Sequence, residues 1–169
     1  IGFCLVGSEM CIRDSSHLKD LSCSDHGDLR IHRGSWNDTV RLSLAWSGWG
    51  KVSAARAATR LLASDPGIDL LLFTGVAGAA DPALRQWDVV LADAVVQHDM
   101  DARPLFPRFT LPALKQDRLQ PQPAWFNWAK TALLEAHSAG DLDGFARPSS
   151  GLIATGDRFI GDPAVLQQL

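Results

Sequence analysis

Four short segments hold residues whose types and spacing could do chemistry. Thr74-Gly75-Val76-Ala77-Gly78 follows the unbroken apolar run Leu70 to Phe73. Such a run, bounded by glycines, reads as a strand buried on both faces, and small residues after it let a backbone approach a ligand closely. In open α/β sheets ligands bind just beyond the carboxyl ends of strands. A tight turn and a binding loop both fit this pattern. Ser47-Gly48-Trp49-Gly50 precedes a helical pattern that starts at Lys51. Its glycines leave backbone N–H groups open to an anion or a polar ligand, or else serve close packing on a sheet. His98-Asp99-Met100-Asp101 sets one imidazole beside two carboxylates. That is short of a metal-ligand set without a further donor, so no metal and no cofactor is expected. Gly156-Asp157-Arg158-Phe159-Ile160 closes a short apolar run and places an aromatic at a strand end. Phe159 there either packs beneath a sheet or faces a ligand.

The elements that position these segments follow from periodicity. Ile1 to Val6 can form a first strand turning at Gly7. Asp28–Trp36 and Thr39–Trp46 flank Asn37-Asp38, a hairpin-type pair, and the second alternates with Val40, Leu42, Leu44 and Trp46 on one face. Lys51 to about Ala63 reads as a helix with Val52, Ala55, Ala58 and Leu62 on its apolar stripe, stopped by Ser64-Asp65-Pro66-Gly67. Asp88 to Val96 is apolar nearly throughout and reads as a central strand. A proline-rich loop, Ala102 to Pro121, leads to a helix from Pro123 to Gly140 with Trp125, Trp128, Ala129, Ala132, Leu133 and Ala136 as a core-facing stripe. Gly151 to Thr155 is a short strand, and Pro163 to Leu169 begins a helix.

The 169 residues suit one α/β domain, with 46% hydrophobic and 21% charged residues. A net charge of −3 implies no general affinity for nucleic acid or anionic membrane. No apolar run approaches the ~18 residues of a membrane helix. The three cysteines, Cys4, Cys11 and Cys23, fit no disulfide framework, and a reducing, cytoplasmic setting is the default. Leu5 to Ser15 looks like translated sequencing adaptor. Residues 1–15 are therefore expected to be non-native, and residues 16–169 to be a partial domain.

The order Ser47-Gly48-Trp49-Gly50-Lys51-Val52, Thr74-Gly75-Val76-Ala77-Gly78, Trp87-Asp88-Val89-Val90, His98-Asp99, Thr155-Gly156-Asp157-Arg158-Phe159-Ile160 resembles the purine nucleoside phosphorylase superfamily. Within it the chain is most similar to the 5′-methylthioadenosine/S-adenosylhomocysteine nucleosidases. The resemblance runs from about Leu29 to Leu169. It implies a three-layer α/β/α fold with a mixed central sheet, a small nucleoside as substrate, no cofactor, and a homodimer at full length. The reaction implied is hydrolysis of the bond between adenine N9 and ribose C1′. By resemblance Val76, Ala77 and Gly78 lie under the ribose and base, Phe159 stacks on adenine, the Ile160 main chain reads the adenine edge, and Trp49 stands near the 5′ and water region.

The family's carboxylates are where the chain departs. A Met-Glu-x-Glu motif after the Gly-Asp-x-Phe-Ile strand is absent from these residues, as is a later Ser-Asp step; Ser24-Asp25 and Ser64-Asp65 lie upstream in turns. Glu9 falls about where the first catalytic Glu would, without the expected Gly-Ala-Met-x-x-Glu order. The chain is thus expected to be a truncated fragment, inactive by itself. The family usually has Ser where Val76 stands and Ile where Trp49 stands. Its phosphorylases carry an Arg at the position of Phe73 and a Ser or Thr at that of Val76. Neither side chain here offers charge or a donor to phosphate, so water is the expected nucleophile. A futalosine hydrolase, another purine nucleosidase, a phosphorylase and a non-catalytic fragment are the alternatives.

Overall fold

Asn37 and Asp38 both adopt left-handed backbone, φ 54 and 59, a conformation short polar side chains tolerate, and the chain reverses there. The reversal joins strand β3 (Leu29–Trp36) to β4 (Val40–Trp46), with Trp36 opposite Val40. This is a computed structural model that describes residues 2–7, 17–158 and 160–162. The chain divides into two units, Ile1–Ala77 and Gly78–Leu169.

In the first unit β1 is Gly2–Gly7, β2 is Lys19–His26, helix α1 is Lys51–Ser64 and β5 is Leu70–Thr74. The sheet runs β2-β3-β4-β1-β5. β2, β3 and β4 form an antiparallel meander, and β1 pairs in parallel with both β4 and β5, so the sheet is mixed. β2 goes unpredicted by periodicity for a physical reason. It is a polar edge strand, Lys-Asp-Leu-Ser-Cys-Ser-Asp-His, exposed along most of its length and irregular between Lys19 and Ser22. Charge and irregularity are how edge strands avoid further pairing, and they also erase the alternation that marks a strand.

The core of this unit is Leu29, Ile31, Ala45, Ala57 and Leu61, with Ile68 packed against it. Ile31 lies opposite Ala45 in the register, and α1 covers them with Ala57 and Leu61 one turn apart. The helix therefore turns a different face to the sheet from the expected stripe. Val52, Ala55 and Leu62 are exposed and Ala58 is half-buried. Ala57 and Leu61, four positions apart, are the buried residues of this helix, and they take the place of the expected stripe. Arg56 and Arg60 then reach the Asp28 carboxylate, and Arg60 also donates to the His26 carbonyl, tying α1 to the β2–β3 turn. Exposed pairs of this kind add little to stability. The alternation expected in β4 also fails at its end. Ser43, Leu44 and Ala45 are all buried, so both faces are covered there, while Trp46 is exposed. The apolar run of β5 is not covered on both faces either, with Leu71 and Phe73 exposed.

In the second unit β6 (Val90–Gln97) pairs in parallel with β7 (Ser149–Thr155), with a shift between Ala92 and Ala94. Among the described residues β6 takes only an isolated bridge, Val95 to Leu119, besides β7, and Ala94 is its one buried side chain. It is not the central strand its composition predicts. Helix α2 (Pro123–Ala139) starts on Pro123 and ends at Gly140, φ 84, whose N–H donates to the carbonyls of Ala136 and His137. No residue of α2 is buried. The expected core stripe survives only as a half-buried one at Trp125, Ala129, Leu133 and Ala136; Trp128 and Ala132 are exposed. Trp128 instead stands edge-on to Trp125, centroids 5.8 Å apart. No helix among the described residues is long and apolar enough to cross a membrane. The predicted helix at 163–169 lies outside the described residues.

Candidate functional site

Parallel strands end at the same edge of a sheet, so the order β4-β1-β5 decides where the first two glycine loops go. Gly7 at the end of β1 is level with Trp46 of β4 on one side and Thr74 of β5 on the other. Ser47–Gly50 and Gly75–Ala77 therefore leave one edge, two strand spacings apart, which is roughly 10 Å. Both Gly48 and Gly50 are left-handed, φ 77 and 89. Ser47 is buried, and its hydroxyl donates to the Gly48 carbonyl at 2.9 Å. The turn thus presents Trp49 outward, 92% exposed, before α1 begins with Ala54 donating to the Gly50 carbonyl at 3.1 Å. After β5 the backbone is open: Val76 is 96% exposed, Ala77 is exposed, and no atom lies within 4 Å of where a Cβ on Gly75 would stand.

The second unit begins with Gly78, likewise exposed and with nothing within 4 Å of a Cβ position. Here β6 and β7 also end level, Gln97 opposite Thr155, so His98-Asp99 and Gly156-Asp157 share an edge. They are joined: the His98 N–H donates to the Thr155 carbonyl at 2.9 Å, and the Asp157 N–H to Asp99 Oδ2 at 2.8 Å. Ile160 is half-buried. Beyond Asp99, Asp101 is held by Arg103, Oδ2 to Nη2 2.5 Å, and that guanidinium keeps its carboxyl down at about 2. Among the described residues no group of three or more His, Cys, Asp or Glu is arranged to hold a metal ion.

Of the residues singled out by sequence, Trp49, Val76 and Ala77 thus belong to one edge of the first unit, and Gly78 and Ile160 to the second. Phe159 and Glu9 lie outside the described residues. Sequence reasoning missed the Asp99 to Asp157 link. The signal available was a paired pattern, His-Asp after one strand and Gly-Asp after another.

Residues 5–169 match the family described as the Phosphorylase superfamily. A 5′-methylthioadenosine/S-adenosylhomocysteine nucleosidase of Geobacillus thermodenitrificans is 40% identical over 128 residues, 75% of this chain and 50% of the relative. Its counterpart in Chromohalobacter salexigens is 32% identical over 157 residues, 92% of this chain and 63% of the relative. The chain spans about half the length of the first of these. Among solved structures, the nucleosidase of Colwellia psychrerythraea in complex with adenine superposes with a TM-score of 0.85 at 26% identity, covering 99% of this chain and 67% of that one.

Proposed function

The chain belongs to the phosphorylase superfamily and has its nucleoside phosphorylase-like α/β fold, and from that premise we propose that it is part of a purine nucleosidase that hydrolyses adenosine-type nucleosides to free adenine. The observation that carries this reading is the shared edge of Ser47–Gly50 and Gly75–Ala77, open in its backbone, with Trp49 and Val76 exposed on it.

In this reaction water attacks C1′ as the C1′–N9 bond breaks. Its electron pair passes to the purine, which takes a proton at N7. Positive charge grows on the sugar and negative charge on the leaving base, so the protein must hold both rings still while carboxylates supply the acid and the base. Val76, Ala77 and Gly78 take the ribose and base against their backbone, Trp49 borders the 5′ side, Phe159 stacks on adenine and the Ile160 main chain meets its edge. Phosphate is disfavoured as nucleophile. Phe73 in β5 and Val76 just past its end offer an anion no charge and no side-chain donor.

The test is to express the whole reading frame that contains residues 1–169 and incubate it with methylthioadenosine, with and without phosphate. The expected products are adenine and the free thiosugar in both. A strict need for phosphate, with a sugar 1-phosphate as product, would make it a phosphorylase; cleavage of other purine nucleosides alone would move the 5′ specificity elsewhere.

Two further expectations follow. Phe159→Leu in that protein lowers adenine affinity about ten-fold, the size of a lost stacking partner, with little change in melting temperature because Leu keeps much of the volume. A melting shift with unchanged adenine binding by calorimetry would withdraw Phe159 from the site. The whole protein is expected to be a homodimer using the apolar loop at 102–121, where Leu105 is 83% exposed. A monomeric mass by light scattering at micromolar concentration would refute this.

A further inference from the structure

The end of β7 is held from outside its own segment. Its last residue, Thr155, accepts the His98 N–H at 2.9 Å, which continues the parallel ladder one step past β6. The next residue, Gly156, has no side chain, and the His98 ring uses that space. A Cβ there would lie 2.6 Å from Cε1 and 2.9 Å from Cδ2, and nearer still to Nε2. His98 is correspondingly buried, at 9% exposure. The residue after that, Asp157, gives its N–H to Asp99 Oδ2 at 2.8 Å. Two adjacent side chains of one loop thus grip two adjacent residues of another, 58 positions away in sequence. One contact is packing against a glycine. The other is a hydrogen bond to a carboxylate, stronger than one between neutral groups.

We infer that Asp99 is a positioning residue for the segment Gly156 to Arg158, its carboxylate fixing the Asp157 backbone beside the contact of His98 with Gly156. This rests on the proposed nucleosidase reading, in which Phe159 and Ile160 meet the purine. Asp99 does not touch the reacting atoms in this role. It sets the backbone from which the purine contacts start, two residues before Phe159.

The test uses the protein of the whole reading frame and three variants: Asp99→Ala, Asp99→Asn and Gly156→Ala. Adenine release from methylthioadenosine gives KM and kcat, and hydrogen exchange by mass spectrometry reads the peptide around Asp157. Asp99→Ala is expected to raise KM about ten-fold, the size of one lost hydrogen bond to a charged acceptor, with kcat little changed and exchange at Asp157 faster. Asp99→Asn keeps a carbonyl oxygen to accept the same N–H, though a neutral one, and is expected to fall between the parent and Asp99→Ala in both readings. Gly156→Ala, which drives a methyl into the His98 ring, is expected to raise KM like Asp99→Ala. Should it fail to fold, the Asp99 pair decides alone. An unchanged KM in Asp99→Ala overturns the inference. So does a fall in kcat at constant KM, which means fewer folded molecules. So does an Asp99→Asn variant as impaired as Asp99→Ala, which means charge and not the acceptor matters. If the parent protein releases no adenine, the nucleosidase reading fails and exchange decides. Unchanged exchange in Asp99→Ala overturns the positioning role, and faster exchange supports it for a segment with another ligand.

Discussion

Expressed alone, residues 1–169 are expected to release adenine from methylthioadenosine at least ~10⁴-fold more slowly than the protein of the whole reading frame, since an acid and a base are each worth about 10²–10⁴-fold. The expectation follows from where the carboxylates are. An acid for N7 must keep a proton near neutral pH, which needs a raised pKa. Two of the described carboxylates near the loop edges have other work or the wrong shift. Asp99 accepts the Asp157 N–H, and Arg103 lowers Asp101. The two upstream Ser-Asp steps fare no better. In Ser24-Asp25 the Arg30 guanidinium bonds the carboxylate at 2.9 Å and holds it below its ordinary range, and in Ser64-Asp65 the carboxylate accepts the Gly67 N–H within its own turn. Glu9, the one candidate base, is outside the described residues. Chromatographic assay of adenine over hours checks the rate. Turnover near ~1 s⁻¹, ordinary for an enzyme, would refute the expectation and place both acid and base within these 169 residues.

What could be read from sequence, and what could not, divides along physical lines. The β3–β4 hairpin was readable because Asn37-Asp38 is a local signal, and the two φ values bear it out. The ends of α2 were readable for the same reason, Pro123 at one end and left-handed Gly140 at the other. Burial was less readable, because it depends on partners that periodicity does not name. Val52 and Leu62 looked like the buried face of α1, and Ala57 and Leu61 took that place. The candidate loops were visible because glycine is needed where backbone must be left-handed, as at Gly48 and Gly50. That the loops after β4 and β5 share an edge was not visible, since it follows from β1 pairing in parallel between them. The grip of Asp99 on Asp157 was hidden twice. Its donor is a backbone N–H, which every residue but proline has, and its partners are distant in sequence.

Gly78→Val is expected to lower adenine affinity by about ten-fold or more, the scale of forcing extra carbons into a packed contact, about 1–3 kcal/mol, while the fold hardly notices. The fold tolerates the change because the position is open. No atom lies within 4 Å of a Cβ built on Gly78, and its φ is not in the left-handed region, so a side chain meets neither a neighbour nor a forbidden conformation. Exposed substitutions of this kind stay within about 0.5 kcal/mol. The glycine is thus not required by the protein's own packing. If a nucleoside lies against the backbone from Val76 to Gly78, the three added carbons of Val occupy its place, and Gly78→Ala, with one carbon, should fall between parent and Val. Calorimetry with adenine and thermal melting, run on the protein of the whole reading frame, separate the possibilities. Graded loss of binding at constant melting temperature fits a ligand against this loop. Equal adenine affinity in all three proteins would mean the loop is only a turn after β5, and Val76, Ala77 and Gly78 would leave the site together.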